Sequence, residues 1–207
     1  KQNVKDFSIN SNLKFDELYF NKKYQDLIYL EDGIVEADIN GENFAILIDS
    51  KYSFLNEKYN NTENKNIIKS KIKKESDKNI SVETFLKNKK NKINSKEFTK
   101  YFQSDQKFFK DQDIIIGSEN KISFEIDKNN KIKNLSVKSN LNFDNVKIDY
   151  ISNRIKKRIP NYKNHIFLNS DYFELDYSKS KTQIKAKGKY SFNDKFDDYE
   201  INIINEK

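Results

Sequence analysis

The chain has 207 residues, of which 35% are apolar, 34% charged and 14% aromatic, and its formal net charge is +7. That length suits one large domain or two small ones; the aromatic share excludes disorder along the whole chain, and the low apolar share points to thin layers with much exposed surface, such as a sheet covered on one face. Cysteine is absent, which excludes disulfides and thiolate chemistry, and no apolar run approaches the roughly 20 residues of a bilayer-spanning helix.

The first residue is Lys1 and no Met occurs, so the chain is expected to be a mature form or a piece of something longer. The positive charge invites a nucleic-acid reading. However, Arg154 and Arg158 are the only arginines, and the lysines are interleaved with Asp and Glu. Arginine is the side chain best suited to bidentate phosphate and base contacts, so no nucleic-acid partner is expected.

Val4 to Leu18 reads VKDFSINSNLKFDEL. Phe7, Ile9, Leu13 and Phe15 share one parity there, and after Asp16 the apolar set slips to Leu18 and Phe20, as at a bulge or tight turn. Leu30 to Ile39 (LEDGIVEADI) alternates through Val35, Ala37 and Ile39 and runs into Asn40-Gly41, a strong hairpin signal. Every second residue from Phe44 then reads Phe44, Ile46, Ile48, Ser50, Tyr52 and Phe54. Period two is the mark of a strand with one buried face. Asn56 to Asn79 is polar and low in complexity and is expected to be a loop. Asn94 to Glu97 reads as the cap of a short helix carrying Phe98, Tyr101 and Phe102. Ile122, Phe124 and Ile126 alternate again, before a hairpin turn at Asp127 to Lys131.

From Ile132 the chain repeats itself. IKNLSVKSNLNFDNV (Ile132 to Val146) matches Val4 to Leu18 at an offset of 128, with seven identical positions. Leu135, Val137, Leu141 and Phe143 share one parity, and the slip recurs after Asp144, to Val146 and Ile148. Tyr150 to Ile159 reads either as a helix through Ile151, Ile155 and Ile159, stopped by Pro160, or as a strand and turn. LNSDYFELDY (Leu168 to Tyr177) aligns with Leu30 to Ile39 at an offset of 138 and places Phe173, Leu175 and Tyr177 in the alternating positions. A polar turn at Ser178 to Lys181 leads into Thr182, Ile184, Ala186, Gly188, Tyr190 and Phe192, and KYSF at Lys189 restates KYSF at Lys51. Two separated matches in one order define a repeated module. The expected organisation is a first unit over 1–131, with a polar loop inserted at 56–79, and a second, truncated unit over 132–207. The expected fold class is mainly β: a long curved antiparallel sheet forming a repeating β-groove, with one or two short helices.

Little in the chain points to chemistry. His165 is the only histidine; YKNHIFL has no metal or triad spacing around it, and it reads as a loop residue before a strand. Asp111/Asp113 and Asp197/Asp198 lack the glycine and closing Glu of a calcium loop, and they read as solvated turn residues. Gly33, Gly41, Gly117 and Gly188 never cluster into a phosphate-cradling loop. The expectation is a protein that is not an enzyme and needs no metal or cofactor.

An apolar sheet face does not stay in water unattended. It closes on itself, is covered by a second layer, or serves a ligand. KISFEIDKNNKIKNLSVKSNLNFDNVKIDY and LEDGIVEADINGENFAILIDSKYSF resemble the repeated segments of the AsmA-like superfamily, in particular its YhdP- and TamB-type bridge-like lipid transfer proteins. The resemblance covers most of the chain outside Asn56 to Asn79. It implies a β-groove ("taco") bridge across the periplasm, anchored in the inner membrane by other parts of the parent protein, that passes phospholipid toward the outer membrane. On that reading, acyl chains lie against Phe7, Ile9, Leu13, Phe15, Val35, Ala37, Ile39, Phe44, Ile46, Ile48, Tyr52 and Phe54 in the first unit. In the second they lie against Leu135, Val137, Leu141, Phe143, Phe173, Leu175, Tyr177, Ile184, Ala186, Tyr190 and Phe192. The rival reading is a repetitive structural or adhesive surface β-protein that packs the same face dry and carries no lipid.

Overall fold

A computed structural model describes residues 7–19, 28–54, 66–95, 112–149, 153–159, 165–192 and 195–206. Ten strands follow one another: β1 (Ser8–Tyr19), β2 (Ile28–Asn40), β3 (Asn43–Phe54), β4 (Asn66–Lys74), β5 (Ile80–Asn94), β6 (Asp113–Ile126), β7 (Ile132–Asp149), β8 (His165–Tyr177), β9 (Lys181–Ser191) and β10 (Phe196–Glu206). One short helix, α1 (Asn153–Arg158), lies between β7 and β8. Each strand pairs antiparallel with the next, and all ten form one sheet in chain order. The protein is therefore mainly β, a long curved antiparallel sheet with the short helix α1 between β7 and β8.

Local chemistry explains the meander. The strands are rich in Ile, Phe, Tyr and Val, whose branched or aromatic side chains pack well on a pleated surface. In the β2–β3 hairpin, Asn40 pairs with Asn43, so the two loop residues are Gly41 and Glu42. Gly41 alone of these adopts a positive φ, 57°, as in a turn with glycine at its first central position. At the β6–β7 turn the Asp127 carboxylate accepts the backbone N–H groups of Asn129 and Lys131, both at 2.9 Å, and Asn130 takes a φ of 58°. An Asx turn of this kind closes a hairpin without proline.

The sequence repeat has a counterpart in the strand registers. Leu30 faces Tyr52, Val35 faces Ile48 and Ile39 faces Phe44; 138 residues later Leu168 faces Tyr190, Phe173 faces Ala186 and Tyr177 faces Thr182. Leu13 lies on Val35 across β1–β2, and Leu141 on Phe173 across β7–β8. Both KYSF segments thus fall on equivalent strands, β3 and β9. The additional residues of the second unit sit between β7 and β8, where α1 forms.

Register shifts recur at matching places. One falls between Glu31 and Ile34, where Asp32 has a φ of 48°, and one between Ser170 and Tyr172. Others fall between Asn88 and Asn91 on β5 and between Phe143 and Val146 on β7. The β7 shift coincides with the parity slip after Asp144. In β1 the slip lies at Asp16, which the pairing skips together with Asp32. Each bulge bends and twists its strand. Because these lie in neighbouring rows of the sheet, the bends add up to one band of curvature running across the strands.

Three sequence expectations are corrected. Asn66–Lys74, part of the expected polar loop at 56–79, is strand β4, while 56–65 lies outside the described residues. Isoleucine at 68 and 72 is diluted by Lys69, Lys71, Lys73 and Lys74, so the strand reads as polar until its neighbours are known. His165 opens strand β8 instead of sitting in a loop, with its ring edge-on to Phe167 at 4.9 Å between centroids. Asp113 opens β6, and Asp197 and Asp198 belong to β10, so all three are strand residues instead of turn residues. The open reading of Tyr150 to Ile159 resolves to helix over Asn153–Arg158, with Lys156, Lys157 and Arg158 complementing its C-terminal dipole. The expected helix with Phe98, Tyr101 and Phe102 lies outside the described residues, as do Asp111 and the expected slip residue Phe20.

Candidate functional site: one apolar face across ten strands

Cross-strand partners point to the same side of a sheet, so the registers sort every strand residue onto one of two faces. Following them from β1 to β10 places the expected apolar residues of both units on one continuous face. One line across the strands reads Leu13, Val35, Ile48, Ser70, Thr84, Ile122, Val137, Tyr177 and Thr182. The line beside it runs through Ala37, Ile46, Ile72, Val82 and Phe124. Further along the same face Leu141, Phe173, Ala186 and Ile201 stand side by side on β7 to β10, followed by Val146, Leu168 and Tyr190.

The expected residues are not covered equally. Val35, Ala37, Ile39, Phe44, Ile46, Ile48, Val137, Leu141, Phe143, Phe173, Leu175, Tyr177, Ile184, Tyr190 and Phe192 are half-buried by their neighbours. Tyr52 and Ala186 are buried. Phe15 is half-buried, its ring lying over Gly33. Phe7, Ile9, Leu13 and Leu135 are exposed, three of them at or beside the outermost strand β1. Phe54 pairs with Ile28 in β3, and its side chain lies outside the described residues. No second layer packs on this face among the described residues: all substantial contacts run between strands adjacent in the chain.

Strands β4 and β5 and the edge strand β10 also contribute to the face, and sequence reasoning missed them. Ile68, Ile72, Val82, Leu86, Ile201 and Ile203 complete it. Their alternation is interrupted by Ser70, Thr84 and Asn88, which removes the period-two signal that marked β3 and β9.

Those polar residues form a ladder across the middle of the apolar face. Tyr52 Oη donates to Asn88 Oδ1, and Asn88 Nδ2 donates to Ser118 Oγ at 2.6 Å. Asn120 Nδ2 donates to the same Ser118 oxygen at 2.9 Å, and Ser139 Oγ donates to Asn120 Oδ1. Ser70 and Thr84 share a hydroxyl hydrogen bond of 2.9 Å. Ser50, Ser118, Ser139 and Ser170 are all buried; small side chains there sit below the larger neighbours, in the band where the strands bend. Buried polar groups persist when they satisfy one another.

The opposite face is charged. Lys51 pairs with Asp32 at 2.8 Å, Lys69 with Asp49 at 2.6 Å, Lys87 with Glu119 at 2.6 Å and Lys90 with Asp144 at 2.6 Å. On β8, the Tyr172 hydroxyl donates to Glu174, which lowers the Glu174 pKa with help from Lys185 and raises that of Tyr172. A hollow of about 870 Å³ opens on this side, with Ile34, Leu47 and Phe85 among Lys69, Lys71 and Lys121. Among the described residues no group of three or more His, Cys, Asp and Glu gathers in metal-binding geometry, and no helix is long and apolar enough to cross a membrane.

No family model, curated protein or solved structure matches the chain.

Proposed function

We infer that the chain is a segment of a phospholipid conduit, in which acyl chains lie along the apolar face while the charged face stays in water. The observation that carries this reading is the continuity of the apolar face over ten strands, with no covering layer among the described residues. Removing a methylene from water is favourable by about 0.8 kcal/mol, so such a surface holds acyl chains without a dedicated headgroup site. The resemblance to AsmA-like bridge proteins supports the same reading. On that resemblance the parent protein is expected in the periplasm, anchored in the inner membrane through other segments, with phospholipid moving between inner and outer membranes. The close Lys–carboxylate pairing of the outer face supports the absence of a nucleic-acid partner, because paired lysines release few counterions on meeting phosphate.

The test is a photo-crosslinking residue at position 46 or 184, on the apolar face, of the full-length parent protein in cells, with positions 51 and 189 on the charged face as controls. Phospholipid adducts at 46 and 184 and none at 51 and 189 support the conduit. A folded protein without adducts at either apolar-face position sinks it and favours the structural or adhesive reading. Ile46→Asp sets an ion in the acyl path at a local cost of several kcal/mol, so it is expected to block passage; its thermal stability is measured alongside.

A further inference from the structure

The charged face has one stretch that its own ion pairs leave unfinished. From β2 to β7, successive cross-strand partners read Ile34, Asp49, Lys69, Phe85, Lys121 and Lys138. They border the hollow of about 870 Å³, a volume within the range of small-molecule sites. Lys69 is taken by Asp49 at 2.6 Å, and Lys138 by Asp176 at 3.6 Å. Lys121 makes no ion pair among the described residues, and the side chain opposite it is a second lysine, Lys138. Like charges directly opposite one another on a sheet are destabilising, and an anion between them removes that repulsion.

The other end of the hollow is apolar. Ile34 is 37% exposed and Leu47 42% exposed although both stand on the charged face, and Phe85 lies half-buried further along it. From Ile34 on β2 to Phe85 on β5 is three strand spacings, about 14 Å. Lys69 and Lys71 stand between them on β4, and the methylene stems of lysines extend an apolar track while their ammonium groups stay in water. In the neighbouring row of the same face, Glu36 faces Leu47 and Glu83 faces Lys71. Those carboxylates repel any further negative charge.

We propose that this hollow binds a single-tailed amphipathic monoanion, a fatty carboxylate in chemical class. Its tail lies over Ile34, Leu47 and Phe85, and its carboxylate sits between Lys121 and Lys138. The tail takes exposed apolar surface out of water. The carboxylate supplies the partner that Lys121 lacks, and Glu36 and Glu83 turn polyanions away. The site is on the face opposite the apolar one and does not depend on what the apolar face binds.

Calorimetric titration of the 207-residue chain with decanoate below its micelle concentration tests this. Decanoate is expected to bind more tightly than decanol, which has the tail without the charge. Inorganic phosphate, which has charge without a tail, is expected not to displace it. Lys121→Gln is expected to weaken decanoate binding about three- to fivefold, the range of an exposed ion pair, with Lys121→Glu weakening it further. Both are expected to leave decanol binding unchanged. Lys121 is exposed, so the fold survives either change, and circular dichroism verifies it. Lys187→Glu, at an exposed position on β9 outside the hollow, is expected to leave decanoate binding unchanged. Leu47→Asn is expected to weaken it. Equal affinity for decanoate and decanol overturns the proposal, and so does displacement by phosphate. Equal losses in Lys121→Glu and Lys187→Glu overturn it too, since that is the charge of the whole face acting. Decanoate binding that survives Lys121→Glu and is lost in Ile46→Asp moves the ligand to the apolar face; that outcome overturns this site and leaves the conduit reading standing.

Discussion

The ring of Phe15 lies against Gly33, its cross-strand partner on β2, so closely that a Cβ at position 33 meets the ring Cζ at 2.0 Å. Glycine is required there by a neighbour's ring and not by a turn. Gly188 is confined differently: its Cβ meets the carbonyl oxygen of Asn169 at 2.1 Å and Ser170 Cα at 2.9 Å. A ring on an outer strand can swing aside, whereas a paired backbone cannot. Gly188→Ala is therefore expected to destabilise by about 2–3 kcal/mol and Gly33→Ala by about 1 kcal/mol, within the range for overpacking. Thermal unfolding of the two variants checks the order, and equal losses contradict the argument.

Ser118 holds the centre of the polar ladder, accepting from both Asn88 and Asn120. Removing its hydroxyl leaves two half-buried amide donors without that acceptor. Ser118→Ala is expected to cost about 1–3 kcal/mol, although on a bare sheet face it adds apolar surface. Denaturant titration measures it, and a stabilised variant refutes the structural role of the ladder.

The Asp127 carboxylate is held below its ordinary pKa chiefly by the backbone N–H of Lys131, then by that of Asn129 and by Lys133. A carboxylate whose folded pKa is depressed favours folding above its unfolded pKa, near about 4, and that contribution fades as pH falls through the lower folded value. Acidification below about pH 4 is expected to loosen the β6–β7 hairpin, and Asp127→Asn is expected to flatten that part of the pH–stability curve. Hydrogen exchange at Asn130 and Lys131 reads it locally; identical acid profiles for both proteins remove Asp127 as the cause.

Lys69 and Asp49 meet at 2.6 Å, yet both side chains are more than half exposed. Exposed pairs of this kind contribute only about 0–1 kcal/mol and weaken with salt. A double-mutant cycle on Lys69→Ala and Asp49→Ala is expected to give a coupling below about 1 kcal/mol that shrinks in high salt. A larger, salt-insensitive coupling contradicts the solvated outer face.

Several features were legible in the sequence because they are local. Alternation at Phe44, Ile46 and Ile48, glycine at 41, aspartate at 127 and the parity slip after Asp144 each depend on chain neighbours, and side-chain period, turn chemistry and bulges are set within a few residues. The repeat was legible for the same reason: equal sequences make equal hairpins, and the registers of β2–β3 and β8–β9 agree pair by pair. The tertiary structure alone decided the rest. β4 was hidden because Lys69, Lys71 and Lys73 outnumber its alternating isoleucines, and only pairing with β3 and β5 shows that those lysines share one face. The polar ladder joins Tyr52 to Asn88 and Ser118, residues far apart in the chain, so no local pattern announces it. The union of two half-apolar units into one face depends on ten strands in successive register, and a single one-residue slip would have turned part of it to the charged side.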